Sequence, residues 1–243
     1  MKHVLIVGRP GIGKTTLIKR LTHRLRAFPI DGFLTEESRE EEQRAGFWLS
    51  SLDGRQVLLA HRQLDSPVHV GPYKVNVPVL EQVAVPIVQR AVSHATILFL
   101  DELGPMELSS KAFERAVQHA LDHGPAIVAT AGVAHWPFLD AVKRRKDVEL
   151  IPLSTSNRTA IEEELTARLT ALCAEDDAVR AVQRQADHIC AMIATGDISQ
   201  LDIEIQQGKL RDMIARLFPE KDALYHLIYE TRFRRLWQQF RHH

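Results

Sequence analysis

Gly8-Arg9-Pro10-Gly11-Ile12-Gly13-Lys14-Thr15 follows the spacing G-x-x-x-x-G-K-[ST]. Glycines let a backbone wrap closely around phosphate oxygens. Consecutive N–H groups then point at the anion, reinforced by the amino terminus of the helix that follows. Lys14 brings a point charge to the β- and γ-phosphates, Thr15 offers its hydroxyl to Mg²⁺, and Thr16 reaches a nearer phosphate. An average composition yields the bare pattern in roughly one chain in a hundred of this length. A buried strand before it and an amphipathic helix after it make the match far more selective.

Ile97-Leu98-Phe99-Leu100-Asp101-Glu102 supplies the complementary half. An apolar strand ending in aspartate is where such proteins keep the carboxylate on the Mg²⁺ side. Glu102, one residue on, stands where a carboxylate facing the phosphates polarises water for attack on the γ-phosphate. Thr130 ends a later strand and has two readings, a γ-phosphate sensor or a strand-end cap. Arg144-Arg145-Lys146 precedes another strand. Arg145 is the leading candidate there for an arginine finger, a device that contributes on the order of 10³–10⁵ in rate. The alternative is a solvated helix end, which basic residues favour. His119 and His123 stand four apart on a predicted helix, but the H-E-x-x-H pattern is missing, so they read as a solvated face. Cys173 and Cys190 lack C-x-x-C spacing and read as packed free thiols.

These residues need a scaffold. Residues 3–7 form a short Val- and Ile-rich run that suits a strand buried on both faces of a parallel sheet. Leu17, Ile18, Leu21 and Leu25 then recur at helical spacing. Residues 31–77 look β-rich, with Asp53-Gly54 as a hairpin turn and Pro72 and Pro78 bounding a short strand. The pattern continues with a helix over about 79–94, a strand at 96–100 and a helix over about 109–123. Strands at 126–130 and 148–153 and a helix over about 157–174 complete it. Alternating β and α units predict an α/β, three-layer sandwich with a mostly parallel sheet and helices on both faces. The character changes at Glu175-Asp176-Asp177. Residues 175–243 show only helical stripes: 179, 182, 186, 189 and 193; 210, 213, 214, 217 and 218; then Leu224 to Phe240. The division predicted is a nucleotide-binding domain over 1–174 and an all-helical appendage over 175–243.

The chain has 243 residues, of which 31 are Lys or Arg and 31 Asp or Glu. That balance excludes a strongly basic, electrostatically driven nucleic-acid binder. Residues 1–174 carry a net charge of +1 and residues 175–243 one of −1. No stretch approaches the ~20 apolar residues of a membrane span. The apolar run at the amino terminus is too short for a leader peptide and is read as the first strand. Two cysteines suit a reducing compartment, so the expected location is cytoplasmic. The terminal helix interleaves Phe233, Trp237 and Phe240 with Arg232, Arg234, Arg235 and Arg241. It is read as docking on its own domain or self-associating.

The chain resembles the small nucleoside-triphosphatase family first described from thermophiles, also called cancer-related nucleoside-triphosphatases. The resemblance covers residues 1–172. It is carried by Gly8 to Leu17, Asp31-Gly32-Phe33-Leu34-Thr35-Glu36-Glu37, Gly46-Phe47 and Val70 to Asn76. Asp101-Glu102-Leu103-Gly104-Pro105-Met106-Glu107-Leu108, Arg145 to Val148 and Asn157-Arg158 complete it. It implies a P-loop core of the division that uses a glutamate beside the strand-end aspartate. It also implies Mg²⁺-dependent hydrolysis of ATP, GTP and other nucleoside triphosphates to diphosphate and phosphate. Nucleotide-binding segments are implied at Gly8–Thr15 and at Leu98–Pro105, the latter including Gly104. The chain departs from the family pattern at Ser38–Arg44, which is acidic where a glycine-rich turn is expected. It also departs in its last 69 residues, which lie beyond the usual family length.

The leading expectation is therefore a Mg²⁺-dependent nucleoside-triphosphatase with Lys14, Glu102 and Arg145 catalytic and Thr15 and Asp101 on the metal. Two other readings share the motif. One is a nucleotide kinase-like phosphotransferase. The other is a slow, nucleotide-controlled switch whose output is a partner or second copy bound through 175–243.

Overall fold

The computed structural model describes residues 3–41, 43–195, 198–221 and 223–241. Met1 and Lys2 of the opening run and Glu42 of the acidic stretch lie outside them. The chain divides into two compact units, Met1–Cys173 and Ala174–His243.

The first unit is built on a nine-stranded sheet in the order β5-β6-β4-β3-β2-β7-β8-β1-β9. Its strands are β1 His3–Val7, β2 Ile30–Glu40, β3 Gln43–Ser51, β4 Gln56–His61, β5 His69–Val70, β6 Tyr73–Val75, β7 Ile97–Asp101, β8 Ala126–Ala131 and β9 Val148–Pro152. The run β2-β7-β8-β1-β9 is parallel, and β3, β4, β6 and β5 extend it antiparallel from the β2 edge. The helices are α1 Lys14–Arg24, α2 (77–94), α3 Lys111–His123, α4 Pro137–Lys143 and the first part of α5 Arg158–Thr195.

Side-chain alternation along the central strands separates two cores. Val4, Ile6, Ile97, Phe99 and Val128 pack with Leu17, Leu21, Leu165 and Leu169 on one face. Leu5, Leu98, Leu100, Ile127 and Ala129 pack with Val88, Phe113 and Val117 on the other. Strands buried on both faces are what near-continuous apolar runs specify. The α/β sandwich expected from the sequence is the fold found.

Parallel strands all point one way, so everything that follows a strand gathers at one edge of the sheet. That edge receives the Gly8 loop after β1, Asp101 at the end of β7 and Thr130 near the end of β8. Strand β2 behaves differently. Ile30 to Leu34 pair with β7, Leu34 opposite Asp101, but residues 35–40 pair with β3 alone. The β2–β3 hairpin therefore overhangs the phosphate-loop edge.

One local expectation is corrected. The helix expected at about 157–174 does not stop at Glu175-Asp176-Asp177: α5 runs unbroken from Arg158 to Thr195. The acidic residues are part of that helix, where Asp176 pairs with Arg180 one turn on at 2.6 Å. Helix α4 is an addition that the sequence pattern did not specify.

The second unit consists of the rest of α5, α6 Gln200–Leu217 and α7 (225–241). Val182, Ala186, Ile189, Ile193, Ile203, Leu210, Ile214, Tyr225 and Phe233 form its core. The third stripe fits only in part. Phe233 is buried and Trp237 packs against the core, whereas Leu227 is 77% exposed and Ile228 and Phe240 are also exposed. Among the described residues no helix is long and apolar enough to cross a membrane.

Candidate functional site

The glycine loop leaves β1 and opens α1 through Gly13, whose φ of +103° is one that other residues rarely adopt. The first intrahelical bond runs from the Leu17 N–H to the Gly13 carbonyl. The N–H groups of the preceding turn thus have no intrahelical acceptor, which is the donor arrangement an anion needs. Lys14 is only 6% exposed. Its Nζ donates to the Gly8 carbonyl at 3.1 Å and stands 3.3 Å from Glu102 Oε2. The lysine is thereby stretched across the loop, with the glutamate as counter-ion.

Asp101 is 1% exposed. Its Oδ1 accepts a 2.5 Å hydrogen bond from the Thr130 hydroxyl. Its Oδ2 is buried and accepts none. Burial pushes the carboxyl above its ordinary range, and the Thr130 and Thr15 hydroxyls oppose that rise. Thr130 therefore orients the aspartate from within β8.

A cavity of about 570 Å³ opens over the loop. Pro10, Gly11, Gly13, Lys14, Thr15 and Thr16 line it from one side, and Asp101, Glu102, Gly104 and Glu107 from another. Thr35, Glu36, Glu37, Arg44 and Phe47 of the overhanging hairpin complete the wall. Gly8, Arg9 and Ile12 belong to the same loop without lining the cavity. Lys19 pairs with Glu36, and Arg44 with Glu37. The Asp101–Glu102 peptide is cis.

The Mg²⁺ expectation can be tested on the residues present. Among the described residues no group of three or more His, Cys, Asp or Glu is arranged to enclose a metal. One orphaned carboxylate oxygen beside a threonine hydroxyl is nonetheless what a Mg²⁺ that keeps waters and takes phosphate oxygens requires. Thr15 and Asp101 fit that demand.

Arg145 does not belong to this site. It precedes β9, at the sheet edge opposite the phosphate loop. Its guanidinium holds Asp147 at 2.7 and 2.9 Å, Asp122 at 2.6 Å and the Leu121 carbonyl at 3.2 Å. The arginine-finger reading is thereby corrected: Arg145 ties the end of α3 to the start of β9. Asn157 shapes the turn after β9, accepting from the Ser154 N–H and donating to the Pro152 carbonyl. Arg158 lies against the phosphate loop at Gly13. His119 and His123 are exposed and stack on each other at 4.8 Å.

Glu107 is a functional candidate that the sequence reasoning missed. It is 2% exposed, accepts from Thr35 Oγ1 at 3.1 Å and from the Gly104 N–H at 3.2 Å. Burial, with the neighbouring Glu102 charge adding to it, pushes its carboxyl up to about 8. A β-carbon at residue 104 would come within 2.9 Å of Glu102 Oε1 and 3.1 Å of Glu107 Oε2, so glycine is what lets the two carboxyl groups approach. The only sequence signal was a glutamate inside an otherwise apolar Met106–Leu108 segment.

Between the unfolded value near 4.5 and the folded value of about 8, folded Glu107 keeps a proton that the unfolded chain has lost. Stability should therefore fall as pH rises through that window, by about 1.4 kcal/mol per unit. Glu107→Gln removes this dependence. Chemical denaturation at pH 5 to 8 should show wild type losing stability relative to the variant at about that slope. Parallel curves would refute the assignment.

The family model described as NTPase matches residues 3–166. The nucleoside-triphosphatase THEP1 of Thermotoga maritima is 40% identical over 166 residues, 68% of this chain and 94% of that protein. A cancer-related nucleoside-triphosphatase homolog of mouse is 34% identical over 182 residues, 68% of this chain and 95% of that protein. Among solved structures, THEP1 from Aquifex aeolicus superposes with a TM-score of 0.63 at 35% identity, covering 69% of this chain and 98% of its own. The solution structure of a human cancer-related nucleoside triphosphatase gives a TM-score of 0.62 at 32% identity, covering 70% and 98%.

Proposed function

The chain belongs to the NTPase family that holds these nucleoside-triphosphatases, and from that premise we propose that it hydrolyses ATP, GTP and other nucleoside triphosphates in a Mg²⁺-dependent reaction. The observation that carries the proposal is the cavity at one sheet edge, where Lys14, Thr15, Asp101 and Glu102 meet and one Asp101 oxygen is left without a partner.

Loop N–H groups and Lys14 bind the β- and γ-phosphates, and Lys14 exchanges part of its contact with Glu102 for phosphate oxygen. Released from that ion pair, Glu102 orients a water toward the γ-phosphorus. The water oxygen bonds to phosphorus as the bond to the β–γ bridging oxygen breaks, and that electron pair leaves with the diphosphate. The water proton passes to Glu102 and on to the departing phosphate. Thr15 and Asp101 are the residues that would hold Mg²⁺, which when bound would supply neutralisation of phosphate charge. Little covalent chemistry falls to the protein, so positioning and charge stabilisation account for most of the rate.

The test is phosphate release from ATP, GTP, CTP and UTP with Mg²⁺ and with excess EDTA. Release from several nucleotides, lost with EDTA, is the expected result. Release from none of them would overturn the proposal, and nucleoside diphosphate formed only when an acceptor is added, with the phosphoryl group on that acceptor and not free, would replace it with the phosphotransferase reading. The family match ends at residue 166, so it assigns no task to the helical unit.

A further inference from the structure

Hydrolysis of a triphosphate spreads negative charge over the γ-phosphoryl oxygens and the leaving bridge, and a cation directed there is worth a large part of the rate. The described cations lining the cavity are Lys14, Lys19 and Arg44. Lys14 already serves the β- and γ-phosphates from within the loop, where it lies between the Gly8 carbonyl and Glu102, so a second cation would have to come from elsewhere in the wall. Lys19 is held by Glu36, whose other oxygen accepts from Ser50 at 2.6 Å. Arg44 is the one arginine among the lining residues.

Arg44 is carried by β3 in the part of the hairpin that overhangs the phosphate loop. It is paired across the strands with Arg39, next to the register shift between Ser38 and Arg39. Its guanidinium lies 5.8 Å from the centre of the Phe47 ring, also in the cavity wall. Its charge partner, Glu37, lines the same cavity and is shared with Arg39, which bonds it at 2.9 Å. Release of Arg44 would therefore not strand Glu37 without a cation. About half of the Arg44 side chain is exposed, which leaves it room to turn.

We propose that Arg44 is a catalytic residue: it leaves Glu37 to Arg39 and contacts the γ-phosphoryl oxygens during hydrolysis, so that the β2–β3 hairpin supplies the arginine finger from within the chain. This inference rests on the nucleoside-triphosphatase reading. It puts the finger on the antiparallel extension of the sheet and explains why an ion pair of exchangeable partners faces the phosphates.

The experiment compares wild type, Arg44→Ala, Arg44→Lys and Arg145→Ala. It uses steady-state phosphate release from ATP, together with binding of ADP alone and of ADP with aluminium fluoride, which imitates the transferring phosphoryl group. In Arg44→Ala, kcat should fall about 100-fold or more, with KM and ADP affinity within about threefold of wild type. The extra affinity that aluminium fluoride confers should disappear. Arg44→Lys should recover a minor part of kcat, because it keeps the charge but not the fork. Arg145→Ala should hydrolyse within about twofold of wild type. Arg44→Ala with near wild-type kcat, or with its aluminium fluoride complex intact, overturns the proposal. Equal loss of ADP binding and kcat in both Arg44 variants does so too, because it assigns Arg44 to structure. A wild type that releases phosphate from none of the nucleotides defeats the underlying reading instead.

Discussion

Glu102→Gln is expected to bind nucleoside triphosphate as wild type does and to lose turnover by about 10²–10⁴-fold. The substitution keeps size and hydrogen-bonding atoms but removes the charge to which the proposed mechanism assigns the orienting of water and the taking up of its proton. It also removes the counter-ion that stands 3.3 Å from Lys14, so triphosphate affinity should hold or improve. Single-turnover hydrolysis, with equilibrium binding of a non-hydrolysable triphosphate, reads the two effects separately. Wild-type turnover in this variant would remove Glu102 from the mechanism.

Lys14→Ala is expected to lose both binding and turnover. A charge-assisted hydrogen bond is worth about 1.5–3 kcal/mol, so triphosphate affinity should fall roughly 10- to 100-fold. Turnover should fall by a further 10²-fold or more, because stabilisation of charge developing in the transition state goes with it. The lysine also balances Glu102 beside the buried Asp101, so its loss leaves two carboxyl groups facing the incoming phosphates. Calorimetric titration and phosphate release on the same preparation measure the two losses. A variant that binds triphosphate with wild-type affinity would show that the loop N–H groups suffice.

The two variants fail differently, and that difference is informative. In the proposed mechanism Glu102 acts on water, so its removal should spare the ground state. In that mechanism Lys14 acts on phosphate in both the ground and the transition state, so its removal should spare neither.

Much of this site was legible before any fold was known because its central pieces are contiguous. Gly8 to Thr16 form a loop and helix start whose donor geometry depends on local backbone alone. Asp101 and Glu102 follow directly from a strand whose apolar run is plain. What was misjudged depended on distance in sequence. Arg145 was attractive as a basic residue near a strand, yet it precedes β9, and in a parallel sheet whatever precedes a strand lies at the edge away from whatever follows one. Sheet polarity alone would have excluded it. The acidic triplet at 175–177 does not end the helix, which runs on to Thr195, although the chain divides into its two compact units close by, between Cys173 and Ala174.

The sequence by itself determined the chemistry of the phosphate loop, the layer order of the sandwich and the presence of a helical unit beyond it. Local backbone preference and side-chain periodicity suffice for those. Only the tertiary structure decided which distant residues share the cavity. Thr130 reaches Asp101 from the neighbouring strand, and Glu107 is buried against Thr35, 72 positions away in the chain. Arg44 arrives because β2 outruns its parallel partner and carries a hairpin past the sheet edge. Burial and strand register belong to the packed chain, and no short stretch of sequence contains them.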